Sequence, residues 1–188
     1  VINQNLISRN YNANTLLNTF DSSLSIEANT ATLITYAILD GSYNYKSYTD
    51  DNTVGGISLS GSVAQQNYGT GSYGRLELNN SAGANLNNDI ALQNNLVLTT
   101  GILNINIYLL TLNENSIIEG ASFGVTKMIQ SNGVISNWGV RKFFSASPAS
   151  PFTFPSGVYG KYTPATYTIT SSATTGSIRI NPVNNKHL

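Results

Sequence analysis

Cysteine is absent from this 188-residue chain, and charged residues are scarce. Without cysteine, neither a disulfide framework nor a thiolate metal site can form. Nine Lys and Arg balance nine Asp and Glu, and together they make up 10% of the chain, against about a quarter in ordinary soluble domains. Since nucleic acid and anionic membrane surfaces are bound through clustered Lys and Arg, this composition argues against both classes of partner.

Long apolar runs and helical periodicity are also missing. No stretch of 18 apolar residues occurs, so we expect no helix that inserts into a membrane. No window sustains apolar residues at spacings of three and four, which an amphipathic helix requires. Because 40% of the residues are hydrophobic, disorder is not expected either. The sequence starts at Val1 without Met or a signal-like segment, and we interpret it as an internal or processed piece of a longer protein.

What remains is a series of short alternating segments bounded by Asn and Gly, which predicts an all-β chain. Aliphatic pairs recur 20 residues apart in its middle: Leu76 and Leu78 as Leu96 and Leu98, and Ile90 and Leu92 as Leu110 and Leu112. Upstream, Ile57 and Leu59 precede the first pair by an interval only one position shorter. A shorter step of about seven residues leads through Leu96, Leu103, Leu110 and Ile117.

A coil of about 20 residues with three short faces produces both periods. Each face is a strand with inward aliphatic residues, and each corner needs residues that tolerate turn geometry, as Asn does. The predicted corners are Asn79-Asn80, Asn87-Asn88, Asn94-Asn95, Thr100-Gly101 and Asn113-Glu114-Asn115. Stacked coils give a right-handed parallel β-helix; an antiparallel β-sandwich with evenly spaced strands is the alternative.

The periodicity divides the chain into three segments. Residues 1–54 are predicted to be an irregular β segment or early coils, residues 55–120 the β-helix coils, and residues 121–188 a small β-sandwich-like cap. After Gly120 the 20-residue recurrence stops, and the apolar residues of the cap are Val125, Ile135, Val140 and Phe143, with Trp138 as an anchor of its core. Such a cap would cover the open end of the coils, since an exposed sheet edge recruits other chains.

Residues that carry chemistry are few. His187 is the only histidine and lies next to the C-terminus, and no nucleophile motif accompanies it. The acidic residues Glu77, Asp89, Glu114 and Glu119 are scattered one per segment, and Glu77 is predicted to point outward because it lies between Leu76 and Leu78. Asp40 and the Asp50-Asp51-Asn52 turn lack the spacing of a calcium loop. We therefore expect no enzyme, no cofactor and no metal.

The most suggestive group of residues is a tyrosine cluster. Tyr43 and Tyr45 lie on one face of a predicted strand and Tyr48 follows, with Lys46 among them. Aromatic rings at such positions can stack on sugar rings, and they also pack well across a sheet. We treat Tyr43, Tyr45 and Tyr48 as candidate glycan contacts.

From about Gly55 to the end, the order of motifs resembles a known family. The segments LELNNSAGANLNNDIALQNNLVLTTGILN, LLTLNENSIIEGA, WGVRKFF, FTFPSG, YTPATYTI and NPVNNKHL resemble the repeat regions of large secreted cell-surface proteins and adhesins of the Bacteroidota (Flavobacterium type). That resemblance implies export by the type IX secretion system and display on the outer face of the outer membrane, in adhesion or gliding motility. It brings no catalytic or binding residues with it, and the sorting domain expected at the C-terminus of such proteins is not in this sequence.

Three functions follow as hypotheses. The first is a non-enzymatic structural or adhesive module of a cell-surface repeat protein, whose partners are surface polysaccharide or a neighbouring cell surface, flanking domains of the same chain, and the secretion machinery during export. The second is a carbohydrate-binding module of a secreted polysaccharide-acting protein. The third is ice binding, which flat β-helix faces with regularly spaced threonines can perform. The threonines of this chain do not recur at the coil period, which argues against this hypothesis.

Overall fold

The computed structural model describes residues 57–59, 64–67, 71–73, 75–146 and 151–185. These residues contain strands and turns and no helix. The strands are, in chain order, β1 (Ile57–Leu59), β2 (Gln65–Asn67), β3 (Gly71–Tyr73), β4 (Leu76–Asn79), β5 (Ala84–Leu86), β6 (Ile90–Leu92), β7 (Leu96–Thr100), β8 (Leu103–Asn106), β9 (Leu109–Leu112), β10 (Ile118–Glu119), β11 (Ile129–Ser131), β12 (Gly139–Phe144), β13 (Phe152–Phe154), β14 (Ser156–Val158), β15 (Lys161–Tyr162), β16 (Ala165–Tyr167) and β17 (Gly176–Ile180). The described part of the chain is therefore all-β, as predicted. The segment expected at residues 1–54 lies outside the described residues.

Most strands belong to three sheets that the chain visits in rotation. Sheet A has the order β1-β4-β7-β10, sheet B the order β15-β14-β11-β8-β5-β2, and sheet C the order β17-β12-β9-β6-β3. From β1 to β12 each successive strand joins the next sheet in the sequence A, B, C. Every pair formed among these twelve strands is parallel.

The register of these pairs follows the aliphatic recurrence. In sheet A, Leu76 lies beside Leu96 and Leu78 beside Leu98. In sheet C, Ile90 lies beside Leu110 and Leu92 beside Leu112. The shorter step moves from sheet to sheet, because Leu96, Leu103 and Leu110 belong to β7, β8 and β9. The predicted partnership of like aliphatic residues one period apart is confirmed.

One predicted position in this series is wrong by a single residue. The residue beside Leu96 in β10 is Ile118, not Ile117. Ile117 is 48% exposed, whereas Ile118 packs against the core. The turn from β9 to β10 contains one more residue than the regular step of seven allows, and it shifts the inward position accordingly.

All three sheets contribute to one hydrophobic cluster. Its members alternate along the strands with partly exposed residues, as the burial of Leu96, Leu98, Leu103 and Ile105 in β7 and β8 illustrates. Side chains in a strand point to opposite faces in turn, so each sheet presents its aliphatic face to the shared core. Leu and Ile supply most of this core up to β9, while in β2 the buried positions are the polar Gln65 and Asn67.

One passage of the chain through sheets A, B and C is followed by the next, and amide side chains join the turns of successive passages. Asn80, buried at the turn after β4, donates from Nδ2 to Oε1 of Gln65 at 2.9 Å, and Asn106 donates to the carbonyl of Leu86 at 2.9 Å. Asn113 donates to Oε1 of Gln93 on the preceding passage. Since an amide both donates and accepts, these side chains bond to one another and, at Asn106, to a backbone carbonyl. The predicted corners lie at the ends of strands or between them.

The parallel sheets continue past residue 120. Strand β11 joins sheet B and β12 joins sheet C, both parallel to their predecessors, so residue 120 is not an edge of sheets B and C. Antiparallel strands then complete both sheets: β15 pairs with β14, and β17 pairs with β12. Strands β13 and β16 form a separate antiparallel pair. The division of the chain at residue 120 into folding units stays a prediction.

Aromatic residues replace the aliphatic ones near these antiparallel strands. Phe144, Phe152 and Phe154 form an edge-to-face series with ring centroids 5.8 and 4.9 Å apart, and Tyr167 extends it at 6.0 Å. Such edge-to-face contacts add to the free energy gained from burial alone. The three phenylalanines belong to the same cluster as the leucines.

The apolar residues singled out from the sequence after Gly120 differ in their burial. Val125, Ile135 and Phe143 are exposed, and of the four predicted apolar residues only Val140 is buried. Val125 and Ile135 lie between strands rather than in them, where alternation does not set the direction of a side chain. Trp138 is partly exposed, lies outside the core cluster, and donates from Nε1 to Oδ1 of Asn132 at 3.1 Å.

Candidate functional site

The residues singled out from the sequence fall mostly beyond the described part of the chain. Tyr43, Tyr45 and Tyr48 lie there, as do the Asp50-Asp51-Asn52 turn and His187, so the glycan contact proposed for the tyrosines stays a prediction. Glu77 is described, and it points outward between buried Leu76 and Leu78 as predicted.

The described residues contain neither a metal-binding cluster nor a membrane-spanning helix. No group of three or more His, Asp or Glu side chains is arranged to hold a metal ion in the part of the chain described here. Across the same ranges, no helix has the length and apolar character needed to cross a membrane.

The outward positions of the sheets form rows that run across the strands. In sheet B the row consists of the amides Gln66, Asn85, Asn104 and Gln130. Asn104 donates from Nδ2 to Oδ1 of Asn85 at 2.9 Å, so part of the hydrogen-bonding capacity of this row is used within the row. The row is uncharged, and the bond between Asn104 and Asn85 joins neighbouring strands of sheet B.

Charge is segregated between the sheets. Both acidic residues in the described strands, Glu77 and Glu119, lie in sheet A on either side of Val97. The basic residues in the described strands lie in sheets B and C instead: Lys161, Arg141, Lys142 and Arg179. Within the described strands, acidic side chains therefore lie only in sheet A and basic ones only in sheets B and C.

Two of these basic residues lie together on the outer surface of sheet C. Arg141 of β12 is paired directly with Arg179 of β17, and Thr111 of β9 lies on the other side of Arg141. Phe143, two residues after Arg141 on the same face of β12, is 37% exposed. We call Arg141, Arg179, Phe143 and Thr111 the basic face.

The inner surface of β12 carries a different kind of cation. Lys142 is only 3% exposed, and its Nζ donates to the carbonyl oxygens of Asn113 at 2.7 Å and Glu114 at 2.6 Å. The same nitrogen lies 5.3 Å from the ring centroids of both Phe144 and Phe152. Carbonyl dipoles and ring faces stabilise an ammonium ion that burial would otherwise disfavour.

Burial nevertheless dominates the ionisation of this residue. Loss of solvation lowers the pKa of Lys142 from 10.5 to about 8, while the charge of Glu114 acts in the opposite direction. The ammonium ties the turn after β9 to the aromatic series, and it is enclosed by backbone and rings rather than open to a substrate. We therefore interpret Lys142 as a structural cation.

This lowered pKa makes the stability of the fold depend on pH. Between pH 8 and pH 10 the unfolded chain holds a proton on Lys142 that the folded chain has released, so the free energy of unfolding rises with pH there. The free energy of unfolding changes by about 1.4 kcal/mol per pKa unit. Because Lys142 is only partly titrated at the two ends of this pH interval, we expect a rise of about 2 kcal/mol between pH 8 and pH 10. Urea denaturation at closely spaced pH values measures it.

The variant Lys142→Met serves as the control for this experiment. Methionine has a similar length and no charge, so the rise between pH 8 and pH 10 should disappear whatever the variant's stability at neutral pH. If the wild type and the variant show the same pH dependence, the lowered pKa of Lys142 is refuted.

Sequence reasoning missed both basic positions as functional candidates. Alternation in GVRKFF and GSIRI places Arg141 and Arg179 on one face of their strands, and that signal was available. The sequence did not reveal that these two arginines are directly paired, because β12 and β17 are distant in the sequence and no periodicity relates them.

Comparisons with known proteins leave the site to be interpreted from its own geometry. No protein-family model matches the chain, and neither a curated protein nor a solved structure was found to be significantly similar to it.

Proposed function

We propose that this chain is a structural and adhesive module of a large secreted bacterial cell-surface protein, and that it is not an enzyme. In this proposal the three sheets are the walls of a right-handed parallel β-helix with about 20 residues per coil, and the antiparallel strands at residues 152–180 cover its end. The module acts as a stiff spacer and makes weak contacts that gain strength by repetition.

The observation that carries the proposal is the rotation of twelve successive strands through three parallel sheets. Each strand pairs with the strand three positions later, and like residues lie side by side, as Leu59, Leu78 and Leu98 do in sheet A. An antiparallel sandwich requires neighbouring strands of opposite direction. Parallel pairing throughout sheet A therefore favours the coil.

Stiffness is supported by the way successive passages contact each other. Backbone bonds join the passages, such as Leu76 N to the carbonyl of Asn95 and Leu96 N to the carbonyl of Ile117, both at 3.0 Å. Amide side chains add bonds at the turns between strands. In a stack of this kind each unit contacts only its neighbours, and the interfaces between units supply most of the stability.

The cellular address is supported by sequence alone. The resemblance of the segments from LELNNSAGANL to NPVNNKHL to Bacteroidota surface proteins supports export by the type IX secretion system. The partners proposed on this ground are surface polysaccharide or a neighbouring cell surface, the flanking domains of the same chain, and the secretion machinery during export.

Adhesion is tested with beads that carry the folded chain at graded densities. Because many weak contacts act together, retention under flow on a polysaccharide- or cell-coated surface should rise more steeply than density, and no polysaccharide should be cleaved. Beads carrying an unrelated neutral protein at equal densities are the control. Retention no greater than the control at every density, or release of new sugar ends, contradicts the proposal.

A carbohydrate-binding module is the second candidate function. The observation in its favour is the basic face, where exposed Arg179 and Phe143 lie beside partly exposed Arg141 on sheet C. In this case single copies of the chain bind tightly enough that bead retention rises only in proportion to density, whereas the weak contacts of the adhesive module give the steeper rise.

A further inference from the structure

We propose that the basic face of sheet C binds an anionic polysaccharide, with Arg141 and Arg179 contacting its carboxylate or sulfate groups. This inference rests on the adhesive role proposed above and names both the surface and the chemistry of the partner. Four observations lead to it: the pairing of two arginines, the lack of an acidic partner among the described residues, the exposed ring of Phe143, and the row that the site forms across the strands.

The arginine pair is unfavourable for the sheet itself. Arg141 and Arg179 occupy directly opposed positions of two antiparallel strands, so their side chains leave the same face side by side. Like charges at such positions repel each other and destabilise the pair of strands. Nothing in the packing of the sheet requires two cations there, since the neighbouring outward residues are Thr111 and Phe143.

Intramolecular partners do not neutralise this charge. Within the described ranges the one ion pair shorter than 4.0 Å joins Arg75 to Glu77, in the region of sheet A. Arg179 makes a long hydrogen bond, 3.4 Å, to Oδ1 of Asn137, and none is found for Arg141 among the described residues. Two planar guanidinium groups with free donors form a site for a carboxylate or sulfate, whose oxygens accept bonds in pairs.

The uncharged residues of the basic face favour a sugar over other anions. Phe143 exposes 37% of its surface beside Arg141, and the negative face of an aromatic ring attracts the C–H bonds of a pyranose. Thr111 adds a hydroxyl group that both donates and accepts hydrogen bonds. A free inorganic anion would make no use of the ring, and a neutral sugar would make no use of the arginines.

The arrangement also fits a polymer. Neighbouring strands are spaced by about 4.8 Å, which is close to the length of one sugar unit in an extended polysaccharide. Arg179, Arg141, Thr111 and Ala91 follow one another across four strands of sheet C. A chain that lies along this row can place charged groups of consecutive units at the two arginines and neutral units over the small residues.

The test measures binding of the folded chain to polymers of matched length in low salt, by calorimetry. Polygalacturonate supplies carboxylates, dextran sulfate supplies sulfates, dextran supplies neither, and duplex DNA supplies phosphates without exposed sugar faces. We expect binding to one or both anionic polysaccharides, weaker binding to DNA and none to dextran. The double variant Arg141→Gln/Arg179→Gln should weaken binding by about tenfold or more, as expected for lost charge-assisted bonds.

Matched variants separate the site from net charge. Arg75→Gln removes the same type of residue outside sheet C and should change affinity by less than about twofold. Phe143→Thr should weaken polysaccharide binding without affecting the weak binding to DNA. The inference is overturned if Arg75→Gln weakens binding as much as the double variant, if DNA binds as tightly as the polysaccharides, or if no polysaccharide binds.

The outcomes distinguish this inference from the proposed function. Polysaccharide binding that survives in the double variant overturns the assignment to the basic face and leaves adhesion by the module intact. Thermal unfolding gives an independent readout, because removal of one cation from a repelling pair should raise the melting temperature of Arg179→Gln at low salt. A lowered melting temperature would instead identify Arg179 as a structural residue and overturn the inference.

Discussion

Replacement of Gly101 by alanine is expected to lower the free energy of unfolding by about 4 kcal/mol, which combines backbone strain with a steric clash. Gly101 forms the turn between β7 and β8 and has a φ of 95°, a conformation that residues with a Cβ rarely adopt. A Cβ at this position would overlap the carbonyl oxygen of Asn80 and lie 3.0 Å from its carbonyl carbon. Both atoms are backbone, so they cannot move aside without displacing the turn after β4.

Two other glycines provide matched controls. Gly160 has a φ of 70° and no neighbour within 4 Å of a Cβ, so Gly160→Ala isolates the conformational cost, about 1 kcal/mol. Gly176 also has open space around it, and Gly176→Ala should be close to neutral. In thermal unfolding we expect Gly101→Ala to melt about 10 °C below the wild type. Equal melting temperatures for Gly101→Ala and Gly160→Ala would contradict the stacking of one turn directly on the preceding one.

The second large effect is expected from Leu110→Ala, at about 3 kcal/mol of lost stability. Leu110 is fully buried in β9 and lies between Ile90 and Val140 of the neighbouring strands. Removal of its side chain leaves a cavity that three short strands cannot close without breaking their register. The loss combines the transfer free energy of the missing methyl groups with the cost of the cavity.

Ile107→Ala is the control for this substitution. Ile107 lies three residues earlier, in the turn before β9, and is 49% exposed, so its truncation should cost less than about 1 kcal/mol. Urea denaturation followed by circular dichroism measures both variants. If the two substitutions cost the same, the inward and outward positions of β9 and its preceding turn have been assigned incorrectly.

The regular half of the fold was predictable because turns of two to five residues and strands of varied length add up to an almost constant interval. The first paired residues of neighbouring strands up to β9 lie 19 or 20 positions apart. Two residues separate β7 from β8 and two separate β8 from β9. Paired positions therefore recur at an almost constant interval, as Ile57, Leu76 and Leu96 do in sheet A. The amino acids recur at the same interval, and sequence alone shows which positions lie side by side. Asn and Gly at the turns mark the ends of the strands.

Beyond Gly120 the same sheets continue while the recurrence disappears. Nine residues separate β10 from β11 and seven separate β11 from β12. Leu103 consequently pairs with Ile129 and Leu110 with Val140, at intervals that are longer than the regular one and differ from each other. The long turns interrupt the period without interrupting the sheets. The loss of the 20-residue recurrence after Gly120 therefore did not mark the end of sheets B and C. The hydrophobic pattern does not predict the lengths of such long turns.

The basic face and Lys142 depend on contacts that no local pattern encodes. Alternation in β12 predicts that Lys142 points inward with Val140 and Phe144, yet a lysine at an inward position is ordinarily read as an edge or a surface residue. Its acceptors are the carbonyls of Asn113 and Glu114, which lie far upstream in the sequence. Only the pairing of β12 with β9 brings these groups together.

Backbone hydrogen bonds between the parallel strands give the most direct test of the proposed β-helix. Nuclear magnetic resonance detects scalar couplings across backbone hydrogen bonds, and the parallel coil predicts couplings from the amide of Leu76 to the carbonyl of Asn95, from Ala84 to Ile102 and from Leu96 to Ile117. In each case the acceptor lies about 20 residues later along the chain. Couplings at these positions would support the parallel β-helix, whereas reciprocal couplings between pairs of residues in sheet A, the pattern of antiparallel strands, would contradict it.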